Sequence, residues 1–369
     1  MAQRTDYLTM FAEDRPPRLA FTGCQDAGLF SRILKESLAG VLAKNYIKDH
    51  KDKMAGFVSA SIDGRVWWDT MWTSDAGVFL GELTLLGYYN HACILTERLI
   101  SMVQKNSKGF YAFPEYFKYG QPGAGNELDG TGAILIGMVL LWERLPDGNP
   151  YKEMIYRFID SPESPISYMV DQLKISPLIP GTGEFGGGCG ITGEYINVIQ
   201  SNMLRLALLS VSRMYLRISK IDEAEKLKHC SELISKNMMK YLVSENGTWT
   251  WCIQPETMMV DNTVMNHPVN KGSSCINGVL AMCADVYGND LKTMEWEGIP
   301  VGVHTFDALL KDPFRADQFN KYGGWMQFGA FYENMLGGPS YGQGYATQVM
   351  LLLDRMDLVE KSLRFIAQS

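Results

Sequence analysis

Tryptophan and acidic side chains are concentrated in the segment 67–75, whose sequence is WWDTMWTSD. An indole ring offers a rigid apolar plane to the C–H face of a pyranose, and a carboxylate accepts hydrogen bonds from sugar hydroxyls. Helix capping is the structural alternative for Ser74 and Asp75, because an apolar helical pattern follows them. Capping does not require three indoles. We therefore predict a sugar-binding subsite made of Trp67, Trp68, Asp69, Trp72 and Asp75.

A second group of acids, Glu127 and Asp129, precedes another apolar helical pattern. The preceding segment, 110–125, is rich in glycine and aromatic residues. Asp129 has a structural alternative as the N-cap of the helix, whereas nothing comparable explains Glu127. We predict that Glu127 contacts substrate and that Asp129 is a candidate catalytic carboxyl.

A third group lies in the glycine-rich segment 181–195. Residues 181–186 match GxGxxG, but Pro177 and Pro180 precede the match where a strand is required, so a dinucleotide site is excluded. The segment instead holds Glu184 and places Glu194 in the first turn of a helix. The structural alternative is that Thr192 caps that helix and Glu194 interacts with its dipole.

A fourth acid, Glu333, directly follows the aromatic residues Phe331 and Tyr332 and is followed by the glycine-rich segment 337–344. An ordinary exposed helix end would have a similar sequence. As a member of this set of acids, Glu333 is predicted to be a catalytic carboxylate, and Tyr341 is predicted to contact substrate.

Hydrophobic periodicity predicts helices along almost the whole chain, and these helices are of two kinds. The segment 222–243 has one apolar face and one charged face, as expected of an outer helix. The segment 193–218 is apolar nearly all round, as expected of a helix surrounded by others. Alternating inner and outer helices predict an all-α fold, an (α/α)6 barrel of six helical hairpins. We expect one domain over residues 1–369, with residues 1–27 as an N-terminal extension packed on it.

Composition narrows the possible partners. The net charge of −7 opposes nucleic acid or an anionic membrane surface as a partner, and no apolar run is long enough to cross a bilayer. The first 18 residues do not resemble a signal peptide, so a cytoplasmic location is expected. The five histidines have no HxxxH or HExxH spacing, so we expect neither a metal nor another cofactor. The oligomeric state stays open.

Residues Met71–Val78 resemble the Trp-Thr-Arg-Asp-Ser-Gly segment of glucoamylase-like enzymes, and the order of the acidic loops resembles that of the six-hairpin glycosidases. The resemblance implies an (α/α)6 barrel in which one carboxyl is a general acid and a later one activates water. By position, Glu333 is then the base and Glu184 or Glu194 the acid, with Asp129 a further candidate for the acid. Two departures are evident: Ser74 replaces the family's arginine, and its Trp-Glu acid motif has no clear match.

These observations predict a glycoside hydrolase that cleaves an oligosaccharide with inversion. Such a mechanism needs a protonated acid and an ionised base roughly 6.5–9.5 Å apart. Two alternatives stay open. One is a sugar epimerase or lyase on the same barrel, which is favoured if His267 and His304 face the acids. The other is a non-catalytic carbohydrate-binding barrel.

Overall fold

The computed structural model describes residues 26–40, 56, 70–118, 121–123, 125, 127–181, 194–250, 252–260, 294–311, 320, 347, 350–351 and 353–368. The helices in this part of the chain are α1 (Ala27–Gly40), α2 (Thr73–Leu85), α3 (Tyr89–Met102), α4 (Leu128–Arg144), α5 (Pro150–Ile159), α6 (Pro165–Gln172), α7 (Val198–Arg217), α8 (Ile221–Tyr241), α9 (Val301–Lys311) and α10 (Met356–Gln368). Among them, no helix has both the length and the apolar character that crossing a membrane requires.

Helices α2 and α4 pack closely and run parallel. A Cβ atom at Gly77 would lie 2.6 Å from the Ile134 backbone nitrogen, and one at Gly137 would lie 3.0 Å from Leu80 Cγ. Residue numbers therefore rise together along the two helices. Helix α4 is buried from Leu128 to Trp142, as expected of an inner helix.

Helix α7 lies on the other side of α4 and runs in the same direction. A Cβ atom at Gly132 would lie 2.8 Å from Met203. Leu128 and Gln200, which belong to the first turns of α4 and α7, both lie beside Gly181. Helices α2, α4 and α7 are therefore three parallel inner helices whose N-termini share one end of the molecule.

Helix α8 returns antiparallel to α7 on the outside. The Ser212 hydroxyl donates to the Ala224 carbonyl at 2.7 Å, and the Ser231 hydroxyl donates to the Arg205 carbonyl at 3.1 Å. Short turns join α2 to α3, α4 to α5 and α7 to α8, so each of these inner helices is followed by its returning partner. The inner and outer character predicted for 193–218 and 222–243 is confirmed.

The predicted start of α7 was too early. The helix begins at Val198, because the Asn197 side chain accepts a hydrogen bond from the Gln200 backbone N–H at 2.6 Å and thereby caps it. Thr192 lies outside the described residues, and Glu194 precedes the helix. Glu194 is therefore not in its first turn.

Short antiparallel strands lie between the helices: β1 (Thr70–Trp72), β2 (Gln104–Lys105), β3 (Tyr111–Ala112), β4 (Tyr116–Lys118), β5 (Gln121–Pro122), β6 (Ile196–Asn197), β7 (Cys252–Ile253), β8 (Glu295–Trp296) and β9 (Ile299–Pro300). The order β1-β4-β5 forms one sheet, and β2-β3, β6-β7 and β8-β9 form pairs. The register of β1 and β4 pairs Trp72 with Tyr116. This sheet therefore leads directly into the N-terminus of α2.

The first and last described helices, α1 and α10, also contact each other. Arg364 donates to the Asp26 carboxylate at 2.8 Å. Contact between elements near the two chain termini is what a closed ring of hairpins requires.

Glycine at position 77 is expected to be essential for the spacing of α2 and α4. Gly77→Ala would place a methyl group within 2.8 Å of Ala133 and Ile134. We expect it to lower the free energy of unfolding by about 1–3 kcal/mol, the usual result of overpacking. Urea unfolding measures the change.

Gly81→Ala is the matched control on the same helix, because no atom from another described segment lies within 4 Å of its Cβ position. Since alanine has a higher helix propensity, this variant should gain about 0.5–1 kcal/mol. Equal effects of the two variants would contradict the close packing at Gly77.

Candidate active site

The parallel inner helices bring acids from distant parts of the chain to one end. Asp75 lies in the first turn of α2, Glu127 immediately precedes α4, and Asp129 is the second residue of α4. Positive helix-dipole ends favour carboxylates at these positions. The end of the molecule that carries these N-termini is called the acidic end below.

Glu127 has a structural role that its sequence does not reveal. Only 1% of the residue is exposed, and its Oε2 atom accepts a hydrogen bond from the Ser74 backbone N–H at 3.1 Å. Trp72, at the N-cap position of α2, supplies no capping side chain. Glu127 therefore caps α2 from the adjacent inner helix. A Cβ atom at Gly130 would collide with this carboxylate, which accounts for the glycine.

Asp129 is a buried acid with an unsatisfied oxygen. It is 3% exposed, and its Oδ1 atom has no hydrogen-bond partner in the described part of the chain. Burial raises the pKa of Asp129 to about 6, despite backbone N–H bonds from Asp129 and Gly130 that lower it; the negative charge of Glu115 raises it further. This carboxyl is therefore partly protonated near neutral pH.

Asp75 is accessible to water and yet surrounded by protein. Its side chain is exposed, but the loss of hydration around it raises its pKa to about 6. The Asp75 carboxyl therefore reaches solvent although protein atoms lie close around it. Glu82, seven residues later on the same face of α2, is also exposed, and its pKa is also raised by the surrounding protein.

An aromatic pair lies beside these acids. The rings of Trp72 and Tyr116 meet edge to face, with centroids 5.3 Å apart. Gly123 lies under the Tyr116 ring, where a Cβ atom would be 2.6 Å from Cζ. Both rings are partly exposed, so an apolar surface is available next to the carboxyls.

Glu115 belongs to the same group, although no role was predicted for it. The Glu115 carbonyl accepts from the Thr73 N–H at 3.1 Å, the Pro114 carbonyl accepts from the Thr73 hydroxyl, and the Phe113 carbonyl accepts from the Glu127 N–H at 3.1 Å. Residues 113–115 therefore cross the N-termini of both α2 and α4. The available signal was an acid between aromatic residues, in PEYF at 114–117.

Glu194 lies at the acidic end, near the start of α4. Its neighbour Tyr195 exchanges two 3.1 Å backbone hydrogen bonds with Gly181, which lies against Leu128 at the start of α4. Burial, with the charge of Glu194, raises the pKa of Tyr168 on α6 to about 12. Glu194 is thus close to Tyr168, and its side chain is exposed.

The remaining predicted residues, Trp67, Trp68, Asp69, Glu184, Glu333, Tyr341 and His267, lie outside the described residues. His304 lies on α9 next to Thr305, whose hydroxyl accepts from the Trp249 N–H at 2.9 Å. The buried His304 Nε2 has no hydrogen-bond partner within the described segments. No group of three or more His, Cys, Asp or Glu side chains in those segments is arranged to hold a metal ion.

No protein-family model and no curated protein matches this sequence. Solved structures share its fold. A glycosidase aligns over 94% of this chain and 85% of its own length, with a TM-score of 0.60 and 13% identity. Glucoamylase from Saccharomycopsis fibuligera aligns over 93% and 75%, with a TM-score of 0.57 and 14% identity. A D-mannose isomerase aligns over 94% and 88%, with a TM-score of 0.53 and 12% identity.

The predicted all-α (α/α)6 barrel is thereby confirmed, as is the resemblance to six-hairpin glycosidases at the level of the fold. These similar structures include glycosidases and a sugar isomerase, which share one architecture. At sequence identities of 12–14%, the similarity between this chain and these structures extends to the fold alone.

Asp129 should make the stability of the protein depend on pH. Its pKa is about 6 in the folded chain against an ordinary value of 3.8, so between these pH values the folded state binds more protons than the unfolded state. The free energy of unfolding should therefore fall by about 2 kcal/mol as the pH rises from 4 to 7. Asp129→Asn should lose this contribution to the pH dependence, as measured by urea unfolding at several pH values.

Asp147→Asn is a control of opposite sign. A hydrogen bond from Lys152 lowers the pKa of the exposed Asp147, so this pair stabilises the fold increasingly as the pH rises. If Asp129→Asn and wild type lost stability in parallel from pH 4 to 7, the burial of a protonated Asp129 would be contradicted.

Proposed function

We propose that the protein is a glycoside hydrolase that acts on a neutral oligosaccharide at the acidic end of the barrel. The observation that carries the proposal is Asp129, a carboxyl that is buried and partly protonated beside other acids and an aromatic pair. A buried acid with a raised pKa destabilises the fold at neutral pH, so its presence favours a functional role.

Asp129 is assigned as the general acid. An acid that protonates a glycosidic oxygen must carry its proton near the working pH, and a pKa of about 6 meets this condition. Its Oδ1 atom has no hydrogen-bond partner among the described residues. A leaving-group oxygen would supply that partner once the groups that cover Asp129 move aside.

Glu333 is proposed as the base that activates water, on the resemblance to the six-hairpin glycosidases. Glu184 and Glu194 stay alternative acids; the exposed Glu194 is at the same end of the barrel as Asp129. An inverting mechanism further requires the base to be separated from the acid by roughly 6.5–9.5 Å.

The substrate class follows from the groups around Asp129. Trp72 and Tyr116 offer an apolar surface to a pyranose, and the exposed carboxyl of Asp75 can accept hydrogen bonds from its hydroxyls. A group of acids disfavours an anionic ligand. A neutral sugar is therefore favoured over an acidic one. Trp67, Trp68, Asp69, Glu127 and Tyr341 stay predicted contributors to substrate binding.

Aldose–ketose isomerisation or epimerisation of a sugar is the second candidate function. It is favoured by the likeness to a D-mannose isomerase, together with the buried Nε2 of His304, which has no hydrogen-bond partner among the described residues. Incubation with aldohexoses in deuterated water separates the two functions, because isomerisation incorporates deuterium at carbon and hydrolysis does not. A non-catalytic binding barrel would give neither product.

Asp129→Asn should reduce hydrolysis in a way that depends on the leaving group. For phenyl glycosides and natural oligosaccharides, which need protonation, kcat/KM should fall by about 10²–10⁴-fold. For 2,4-dinitrophenyl glycosides, whose leaving group departs without a proton, the loss should be far smaller. Steady-state kinetics with both substrate classes measure this contrast.

Two further variants make the comparison specific. Glu333→Gln, which removes the proposed base, should slow both substrate classes. Asp147→Asn, in the exposed turn after α4, should slow neither. An equal loss on activated and unactivated substrates in Asp129→Asn would rule out Asp129 as the general acid.

Trp72→Ala should weaken substrate binding more than the chemical step. Loss of one stacking ring is worth about 0.5–1.5 kcal/mol, so KM should rise about 2- to 12-fold with a smaller change in kcat. Trp72→Phe retains an aromatic face and should preserve most of the affinity. An unchanged KM in Trp72→Ala would exclude the ring from the subsite.

A further inference from the structure

We propose that Glu127 is a positioning residue that fixes Asp75 relative to Asp129, so that the two acids act on the same sugar. The inference rests on the proposed function, in which Asp75 binds sugar hydroxyls and Asp129 delivers a proton. Glu127 does not need to touch the substrate in this role, and only 1% of the residue is exposed.

The Glu127 backbone is bonded in both directions, and this determines where its side chain can reach. Its N–H donates to the Phe113 carbonyl at 3.1 Å, and its carbonyl accepts from the Thr131 N–H at 3.1 Å. Glu127 occupies the N-cap position of α4, where a side chain ordinarily accepts from N–H groups of its own helix. The Glu127 side chain forms no such bond with α4. Its carboxylate is bonded to a different helix instead.

That helix is α2, which receives no side-chain cap from its own N-cap residue, Trp72. The first N–H groups of a helix have no partner inside it and need one from elsewhere. Ser74, the second residue of α2, donates its N–H to Glu127 Oε2 at 3.1 Å. Ser74 directly precedes Asp75. Without the carboxylate, the backbone next to Asp75 would lose a partner that α2 itself does not supply.

The residues next to the two acids are also in direct contact. Gly130 directly follows Asp129, and a Cβ atom at Gly130 would lie 2.7 Å from the Ser74 nitrogen and would collide with Glu127 Oε2. The backbone after Asp129 therefore touches the backbone before Asp75, with the Glu127 carboxylate at the same point. The relative placement of the two acids depends on this junction of α2 and α4, which the Glu127 hydrogen bond holds.

Loss of the carboxylate should therefore displace Asp75 and lower activity. In Glu127→Ala, kcat/KM for neutral oligosaccharides should fall by about 10- to 100-fold, because a misplacement of about 1 Å can cost 10²-fold. Glu127→Gln, which keeps an oxygen that can accept from the Ser74 N–H, should retain most of the activity. Glu127→Asp keeps the charge but is one methylene shorter, so it should resemble Glu127→Ala. Because aspartate is a good N-cap for α4, this variant tests the proposal in a protein whose α4 start is intact.

A double-mutant cycle with Asp75→Ala tests whether Glu127 acts through Asp75. If it does, Glu127→Ala should reduce kcat/KM much less in the Asp75→Ala background than in the wild type, because no carboxylate remains to be positioned. Equal factors in the two backgrounds would overturn the proposal, since they are expected of a direct substrate contact or of a general loss of folded protein.

Asn149→Ala is the matched control. Asn149 is likewise a buried cap, which accepts from the Tyr151 N–H at 2.9 Å, but it caps the outer helix α5. Its loss should lower the urea midpoint about as Glu127→Ala does and leave kcat/KM unchanged. A similar fall in kcat/KM in both variants would assign the effect of Glu127 to stability and overturn the proposal.

Hydrogen exchange of residues 72–80 tests the same contact without turnover. These amides should exchange faster in Glu127→Ala and Glu127→Asp than in the wild type and Glu127→Gln, and equal exchange in all of these proteins would overturn the proposal. A wild-type protein that hydrolyses no glycoside would reject the proposed function, whereas faster exchange in Glu127→Ala would still support the hold of Glu127 on α2.

Discussion

Close packing of the parallel inner helices is the constraint on which the site depends. Glycines at positions 77 and 132 let α2, α4 and α7 approach until backbone and Cβ atoms touch. Because the three helices run in one direction, their N-termini meet at one end. Acids separated by more than fifty residues in sequence, such as Asp75 and Asp129, are thereby neighbours in the fold.

The same arrangement determines how each acid ionises. A helix N-terminus favours a carboxylate, and Glu127 uses this preference by accepting the Ser74 N–H. Asp129 is also at a helix start and accepts backbone N–H bonds, yet its pKa is raised because burial outweighs these bonds. Two acids two residues apart therefore have different tasks: one joins two helices, and the other is a group that can hold a proton near neutral pH.

Much of the fold could be predicted from the sequence, because hydrophobic periodicity reports burial directly. It distinguished the inner helix α7 from the outer helix α8, and it located the acids near helix starts. Contacts between segments that are far apart in the sequence produce no comparable periodic pattern. Nothing in the sequence indicates that Glu127 caps a helix that begins at residue 73, or that Glu115 pairs with Thr73 through its backbone. The start of α7 was misplaced for a related reason, since Asn197 takes the capping position while Glu194 lies before β6.

The central claim is that a sugar binds at the acidic end, where α2 and α4 begin. A crystal structure of the protein soaked with a mixture of neutral oligosaccharides tests it most directly. We predict a pyranose against the Trp72 and Tyr116 rings, with a hydroxyl or glycosidic oxygen within hydrogen-bonding distance of Asp75 or Asp129. Sugar density confined to another surface, such as the approximately 650 Å³ cavity beside Trp142 and Lys220 at the opposite helix ends, would contradict the account.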